Sequence, residues 1–331
     1  MNMVARGVRL WALVSTAASL LSAGTVSAQE FRLLSSWDNS NPAVSGVGLP
    51  FAKLIEEASS GEMTVTVRGP ETVPPFEQLE PVGSGVFDLL FTHTAYHTGT
   101  TSIGLAVEAI GAESQELREL GVWEWFDEYY QRHNLKLIAL PLTEGAYQFT
   151  LREPLTENGD LQGRKMRGTP TYFGVFDLLG ATPVTIPGSE VYAALERGVV
   201  DGAAWGAYGI IANRWHEVAK YLMRPRIGYG VLPIFMNLDK WNELSPEQKI
   251  LFLEQGEKVE RLWDAKFEEM VNAEQEALIS EHGVQVTELP EENASKLNAA
   301  FSEGIWRIID GQNPAEGKEL REFLVSKGIM N

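Results

Sequence analysis

His93 and His97 stand four residues apart, the spacing at which a helix would aim two imidazoles from one face at a common ion. Zinc needs a third ligand and usually a fourth. The remaining histidines, His133, His216 and His282, stand at no diagnostic spacing, and the chain has no cysteine. The two are therefore read separately. His93 is expected just past a strand end, where side chains meet a ligand crevice, and His97 is expected to be a surface or structural residue. No metal and no cofactor is expected. Missing thiols also remove thiolate catalysis. Asp127 and Glu128 resemble paired catalytic carboxylates, but on a surface helix they read as its solvated face. Their neighbours Trp123, Trp125, Phe126, Tyr129 and Tyr130 read as core packing. The sequence lacks the G-x-S-x-G, H-E-x-x-H, P-loop and dinucleotide glycine patterns, so catalysis is not expected.

Short strand-like runs alternate with helical ones from Glu30 onward, the pattern of an α/β fold. Strands are predicted at Phe31 to Ser36, Met63 to Arg68, Phe87 to Thr92 and Leu135 to Leu142. Helices are predicted at Val47 to Ser59 and Glu113 to Arg132. Lys165-Met166-Arg167 ends a short strand, and Tyr172 to Leu179 forms a helix closed by Gly180, suited to a left-handed position. Pro183 to Ile186 reads as a strand, Ser189 as an N-cap with Glu190 in the first turn, Gly198 as the stop, and Val199-Val200-Asp201 as the next strand. Ser245-Pro246-Glu247-Gln248 has the form of a capping box with proline at N1. The helical pattern beyond it runs to His282, with Gly283 as its stop. So long a helix reads as a beam across two domains, the alternative being a break near Gly256 or Ala273.

The first residues address the chain. Arg6 and Arg9 precede a largely apolar run, Leu10 to Leu21, and Val26-Ser27-Ala28 has the small-x-small form of a signal peptidase site. Residues 1–28 are read as a signal peptide and the mature start as Gln29, giving a periplasmic protein. The roughly 300 residues that follow suit two domains of ordinary size. No composition break separates them, so the chain is expected to cross between lobes more than once. Lobe I is assigned 29–144 plus 231–270, and lobe II 145–230 plus 271–331. A formal charge of −18 argues against nucleic acid, whose affinity comes from neutralised phosphates. Any anionic ligand must then be held by local cations.

Leu161-Gln162-Gly163-Arg164-Lys165-Met166-Arg167, then Leu179-Gly180-Ala181-Thr182-Pro183, then Ser189-Glu190-Val191-Tyr192-Ala193-Ala194-Leu195 and Gly198-Val199-Val200-Asp201-Gly202 form one long pattern. It resembles the solute-binding proteins of TRAP (tripartite ATP-independent periplasmic) transporters of the DctP type. The resemblance implies an α/β, two-domain periplasmic-binding-protein clamp with a long helix bridging both lobes. It also implies a protein that captures a small organic carboxylate in its cleft and delivers it to a membrane permease; a monomer is the simplest expectation. In that family the arginine matching Arg167 holds the ligand carboxylate. The planar, permanently charged fork of arginine independently suits that role.

Further cleft positions carry over singly: Ser36 and Trp37 after the first strand, and His93, with Thr94 beside it, after Phe91. Tyr147 lies twenty residues before the arginine, where acidic-sugar binders carry another arginine. Trp205 stands where many members have an asparagine, within Ala203-Ala204-Trp205-Gly206. Members that bridge 2-oxo acids through a metal tend to carry glutamate where this chain has Ala204, which argues against a metal bridge, although Gln148 is a potential oxygen ligand. Trp37, Tyr147, Phe149, Tyr172, Phe173 and Trp205 form an aromatic set suited to an apolar or aromatic acid or the ring face of a sugar acid. Two rivals remain, a sensory binding protein that presents ligand to a receptor and a periplasmic enzyme with scattered catalytic residues.

Overall fold

The computed structural model describes residues 28–330. The basic start, the apolar run and most of the cleavage motif of the expected signal peptide lie outside the described residues. Strands are β1 (Gln29–Ser35), β2 (Met63–Arg68), β3 (Leu89–Phe91), β4 (Leu135–Ala139), β5 (Leu142–Leu151) and β6 (Lys165–Arg167). They continue with β7 (Thr182–Val184), β8 (Gly202–Gly206), β9 (Tyr221–Arg224), β10 (Ile227–Val231), β11 (Ile234–Asn237) and β12 (Gln285–Glu288). One sheet has the order β2-β1-β3-β11-β4 and the other β12-β9-β5-β8-β6-β7, with β10 paired to β5. Each sheet is the centre of one lobe of a two-lobed α/β clamp.

In the first lobe β1 pairs in parallel with β2 and β3, and the helix Leu49–Ala58 makes the crossover from β1 to β2. Parallel pairing needs such a helix. The alternation of Met63-Thr64-Val65-Thr66-Val67 suits a strand, and Leu89-Leu90-Phe91 is buried throughout, as a central strand should be. The chain crosses to the second lobe between β4 and β5 and returns between β10 and β11. The Leu232 N–H donates to the Pro141 carbonyl at 2.9 Å, tying the two crossings together.

Several local expectations are corrected. The stretch Glu113 to Arg132 is two helices, Ser114–Glu119 and Val122–Gln131, because Gly121 takes a left-handed conformation (φ 75°) that breaks the ladder. Asp127 is buried rather than solvated: its carboxylate accepts from the Leu137 N–H at 3.0 Å and pairs with Lys136 Nζ at 2.6 Å, pinning that helix to β4. Glu128 does face solvent. Ser189 lies inside a 3₁₀ turn, Gly188–Glu190, and caps nothing. Val199-Val200-Asp201 is a turn leading into β8. Here the Asp201 N–H donates to the Lys165 carbonyl and its carboxylate accepts from the Lys165 N–H, so strand pairing proper starts at Gly202.

The long helix runs unbroken over Pro246–Ser280, 35 residues or about 52 Å at 1.5 Å per residue. Both halves of the Ser245/Gln248 capping box form, and Gly283 follows at φ 65°. Gly256 is not a breaker. A Cβ there would fall 2.2 Å from the Ile138 carbonyl oxygen, so glycine lets the helix lie directly on β4. The helix holds both lobes. Glu260, fully buried, accepts from the Leu140 N–H at 2.6 Å and takes a two-pronged contact from Arg118. Further along, Glu274 accepts from the N–H groups of Gly209 and Ile211. The helix Leu297–Gln312 packs on Phe173–Leu179, where Gly304 and Gly174 meet backbone to backbone. The last helix, Pro314–Ser326, stacks Phe323 on Trp125 at 6.3 Å, so the end of the chain returns to the first lobe.

Candidate functional site

Strand ends of the first lobe supply one wall. Trp37 follows β1, its ring edge-on to Phe91 at 5.1 Å and beside Tyr96 at 6.0 Å. His93 follows β3. The two histidines do not converge on a common point. His93 Nε2 lies 2.7 Å from the Tyr147 hydroxyl, whereas His97 Nε2 lies 2.9 Å from Thr92 Oγ1. His97 is a buried structural residue, and burial holds its pKa down to about 4. Ser36 belongs to the same structural network: its hydroxyl sits 2.6 Å from Gln78 Oε1 and 2.7 Å from Thr92 Oγ1. It lines a neighbouring pocket that shares Trp37, Asn41, Tyr96 and Trp205 with the main cavity.

The second lobe supplies the cation. Arg167 is the last residue of β6, in parallel register with β7 and β8. Its Nε and Nη2 donate to the Ile186 carbonyl at 3.1 and 3.0 Å, and its Nη1 donates to the Ala204 carbonyl at 3.1 Å. The guanidinium carbon lies 4.7 Å from the Trp205 ring centroid, a cation–π contact. Of the five N–H groups of an arginine, one on each terminal nitrogen is not taken by these carbonyls, and the Tyr96 hydroxyl lies beside the guanidinium. Tyr147 on β5 and Tyr172 in the turn Pro170–Tyr172 meet edge to face at 5.1 Å. Phe149, one full alternation beyond Tyr147, is wholly buried against Tyr172 and Phe176 and does not reach the cavity. Gln148 points to the opposite face of β5, where its carbonyl oxygen accepts from Arg224. Among the described residues no three acidic, histidine or cysteine side chains cluster to hold a metal.

Trp37, His93, Tyr147, Arg167, Tyr172 and Trp205 thus border one cavity. Sequence reasoning missed Tyr96, Tyr208 and Trp263, which complete the aromatic walls. Tyr96 lies between the two singled-out histidines, and Trp263 occupies an inward position of the long helix. Only the tertiary fold aims Tyr208 at the cavity.

Arg167 is 1% exposed, and among the described residues no carboxylate pairs with it. Burial pulls its pKa down, opposed by the nearby Tyr96 and Tyr172 hydroxyls. A buried cation without a counter-charge costs several kcal/mol, which carbonyl dipoles offset only in part. The cavity is therefore electrically incomplete and favours an anion. Burial depresses His93 to about 3 and raises Tyr147 and Tyr172 well above their ordinary range, so the walls themselves are neutral.

Residues 34–310 match the family model for bacterial extracellular solute-binding protein, family 7 (DctP). The ectoine-binding periplasmic protein TeaA of Halomonas elongata is 28% identical over 192 residues, 57% of this chain and 50% of that one. A monocarboxylate 2-oxoacid-binding periplasmic protein of Nostoc is 27% identical over 267 residues, 76% of this chain and 72% of that one. The match spans half the length of the first of these two relatives and under three quarters of the second. The crystal structure of a TRAP periplasmic solute-binding protein from Desulfovibrio salexigens with bound orotic acid superposes with a TM-score of 0.80 at 22% identity. That superposition covers 90% of this chain and 98% of that one. No helix among the described residues is long and apolar enough to cross a membrane. With the family model covering most of its length and a two-lobed clamp around a cationic cavity, the chain belongs to the bacterial extracellular solute-binding proteins of family 7, the DctP family.

Proposed function

We propose that this protein captures a small organic carboxylate between its lobes and hands it, unchanged, to a TRAP-type membrane permease. One observation carries the proposal: among the described residues Arg167 is buried without a counter-carboxylate, and the backbone carbonyls leave one N–H on each terminal nitrogen, beside the Tyr96 hydroxyl. That pair of donors suits the two oxygens of a carboxylate. Trp37 and His93 on one lobe and Arg167 and Trp205 on the other would touch the same ligand only when the lobes are together. Binding then favours closure, because differential contact is what shifts a conformational population. In this reading residues 1–28 direct the chain to the periplasm, and it works as a monomer with lobes 29–144 plus 231–270 and 145–230 plus 271–331. Aromatic walls favour an acid with a flat or apolar body.

Thermal-shift measurements with orotate, benzoate, pyruvate and D-glucuronate identify the acids that bind, and titration calorimetry measures their affinity. Replacing Arg167 by alanine should weaken binding by at least about 2 kcal/mol, as expected for a lost charge-assisted interaction. Unchanged affinity in a folded R167A protein overturns the proposal.

A further inference from the structure

Glu108 is a carboxylate that Arg167-based capture does not require. It is the one charged residue in the apolar run from Ile103 to Ile110, and its side chain is fully buried on the short helix Ala106–Ile110. Among the described residues no lysine or arginine pairs with it. Its two oxygens are met by hydroxyl donors instead: Thr94 Oγ1 donates to Oε1 at 2.9 Å, and the Tyr147 hydroxyl donates to Oε2 at 2.8 Å. The Ala95 N–H donates to His93 Nδ1 at 3.1 Å, which puts the proton of that neutral ring on Nε2, 2.7 Å from the Tyr147 oxygen. Donors run one way, from His93 to Tyr147 to Glu108. His93 and Tyr147 both line the ligand cavity, so Glu108 stands one hydrogen bond behind its wall.

We propose that Glu108, where it is ionised in the empty protein, takes up one proton from solvent when an anion enters the cavity, so that in alkaline solution the protein captures its ligand together with a proton. This rests on the carboxylate reading above. While Glu108 is ionised, the Tyr147 proton is committed to it, and the cavity meets only a hydroxyl lone pair. Once protonated, Glu108 donates to the Tyr147 oxygen, and the Tyr147 O–H is released to turn toward the cavity and donate to an anionic ligand. The wall changes from acceptor to donor. Charge drives the change in the same direction, since Arg167 alone cannot balance both a ligand carboxylate and an ionised Glu108 within one poorly hydrated space.

The groups facing Glu108 leave it free to act this way. The loop after β3 brings His93, depressed to about 3, and β5 brings Tyr147. The helix Val122–Gln131 brings Tyr130, and the turn at Pro170–Tyr172 brings Tyr172. All three tyrosines are raised by burial, so none ionises near neutrality. On its other side Glu108 borders a second cavity that also holds Glu144 and Arg226. Burial raises Glu108 itself to about 8. Asp264, next to the cavity residue Trp263, is raised to about 7, so a comparison with a variant must separate the two.

The test is calorimetry on wild type and Glu108→Gln at about pH 8.5, in two buffers of different ionisation heat. The probe is whichever of orotate, benzoate, pyruvate and D-glucuronate the wild type binds most tightly. Wild type should take up roughly half to one proton per ligand, and its affinity should weaken about five-fold or more between about pH 7 and about pH 9. E108Q should take up almost none and stay flat within about two-fold. In unaltered protein, infrared difference spectra should show a protonated-carboxyl C=O band growing as the acid is added. No proton uptake in wild type, the same uptake in E108Q, or no such band overturns the inference. Acid binding that depends on Arg167 but carries no proton sinks this inference alone. Failure of all four acids to bind sinks the carboxylate reading and this inference with it.

Discussion

Arg167 is held by backbone carbonyls and one indole face, not by another charge, so its position survives while its field stays uncompensated. Trp205 supports it from one side, and Gly188 makes room for that indole: a Cβ at Gly188 would fall 2.6 Å from the Trp205 ring. Replacing Trp205 by alanine should weaken acid binding by about 1 kcal/mol, the scale of a partly desolvated cation–π contact, and by less than R167A. Calorimetry on both variants ranks them. Buried acids also shape stability. Glu108 and Asp264 hold protons in the folded protein up to about pH 8 and about pH 7, whereas their ordinary values are 4.5 and 3.8. The native state therefore binds more protons than the unfolded chain between those limits, and stability falls as pH rises through them. E108Q should gain melting temperature relative to wild type at about pH 8.5 compared with about pH 5, as thermal unfolding would show. At this scale Arg167, Trp37 and His93 were legible because each stands at or just past a strand end, where open sheets collect ligands. Glu108 was not: a lone acid in an apolar run signals something buried, but its partners Thr94 and Tyr147 come from other elements.

The long helix shows how an element can be read correctly for partly wrong reasons. Its start was legible from Ser245 to Gln248, because a capping box is a local hydrogen-bond pattern. The suspected weakness at Gly256 was not one, because the need for glycine arises from Ile138 on another strand. Helix propensity alone predicts that G256A gains about 1 kcal/mol. Contact with the Ile138 carbonyl predicts the opposite sign, and urea unfolding should show G256A destabilised by about 1 kcal/mol or more. Gly121 misled in the other direction. Its positive φ splits the aromatic helix, while the periodicity on either side continues as though nothing had happened. Periodicity reports which face is apolar and does not register a single left-handed residue.

Across the whole molecule, two lobes and one crevice were legible from the alternation of elements and the length of one helix. The C-terminal helices touch both lobes, a contact that no composition break announces. Trp37, Trp205 and Trp263 border the cavity, so binding should change intrinsic fluorescence and make association rates measurable by rapid mixing. With a formal charge of −18, the long-range field repels the anion that Arg167 attracts at short range. Salt screens the first effect far more than the buried second. Association of an organic anion should therefore accelerate as ionic strength rises from about 10 mM to about 150 mM, whereas a net-attractive surface would slow it. The sheet order of the first lobe has one more consequence. Its inner strand β11, between β3 and β4, is encoded after six of the seven strands of the second sheet. During synthesis, which delivers the N-terminus first, a nascent chain stopped between Ala139 and Ile234 has a gap in the middle of that sheet and two unpaired edges beside it. The sheet can close only when that late segment arrives.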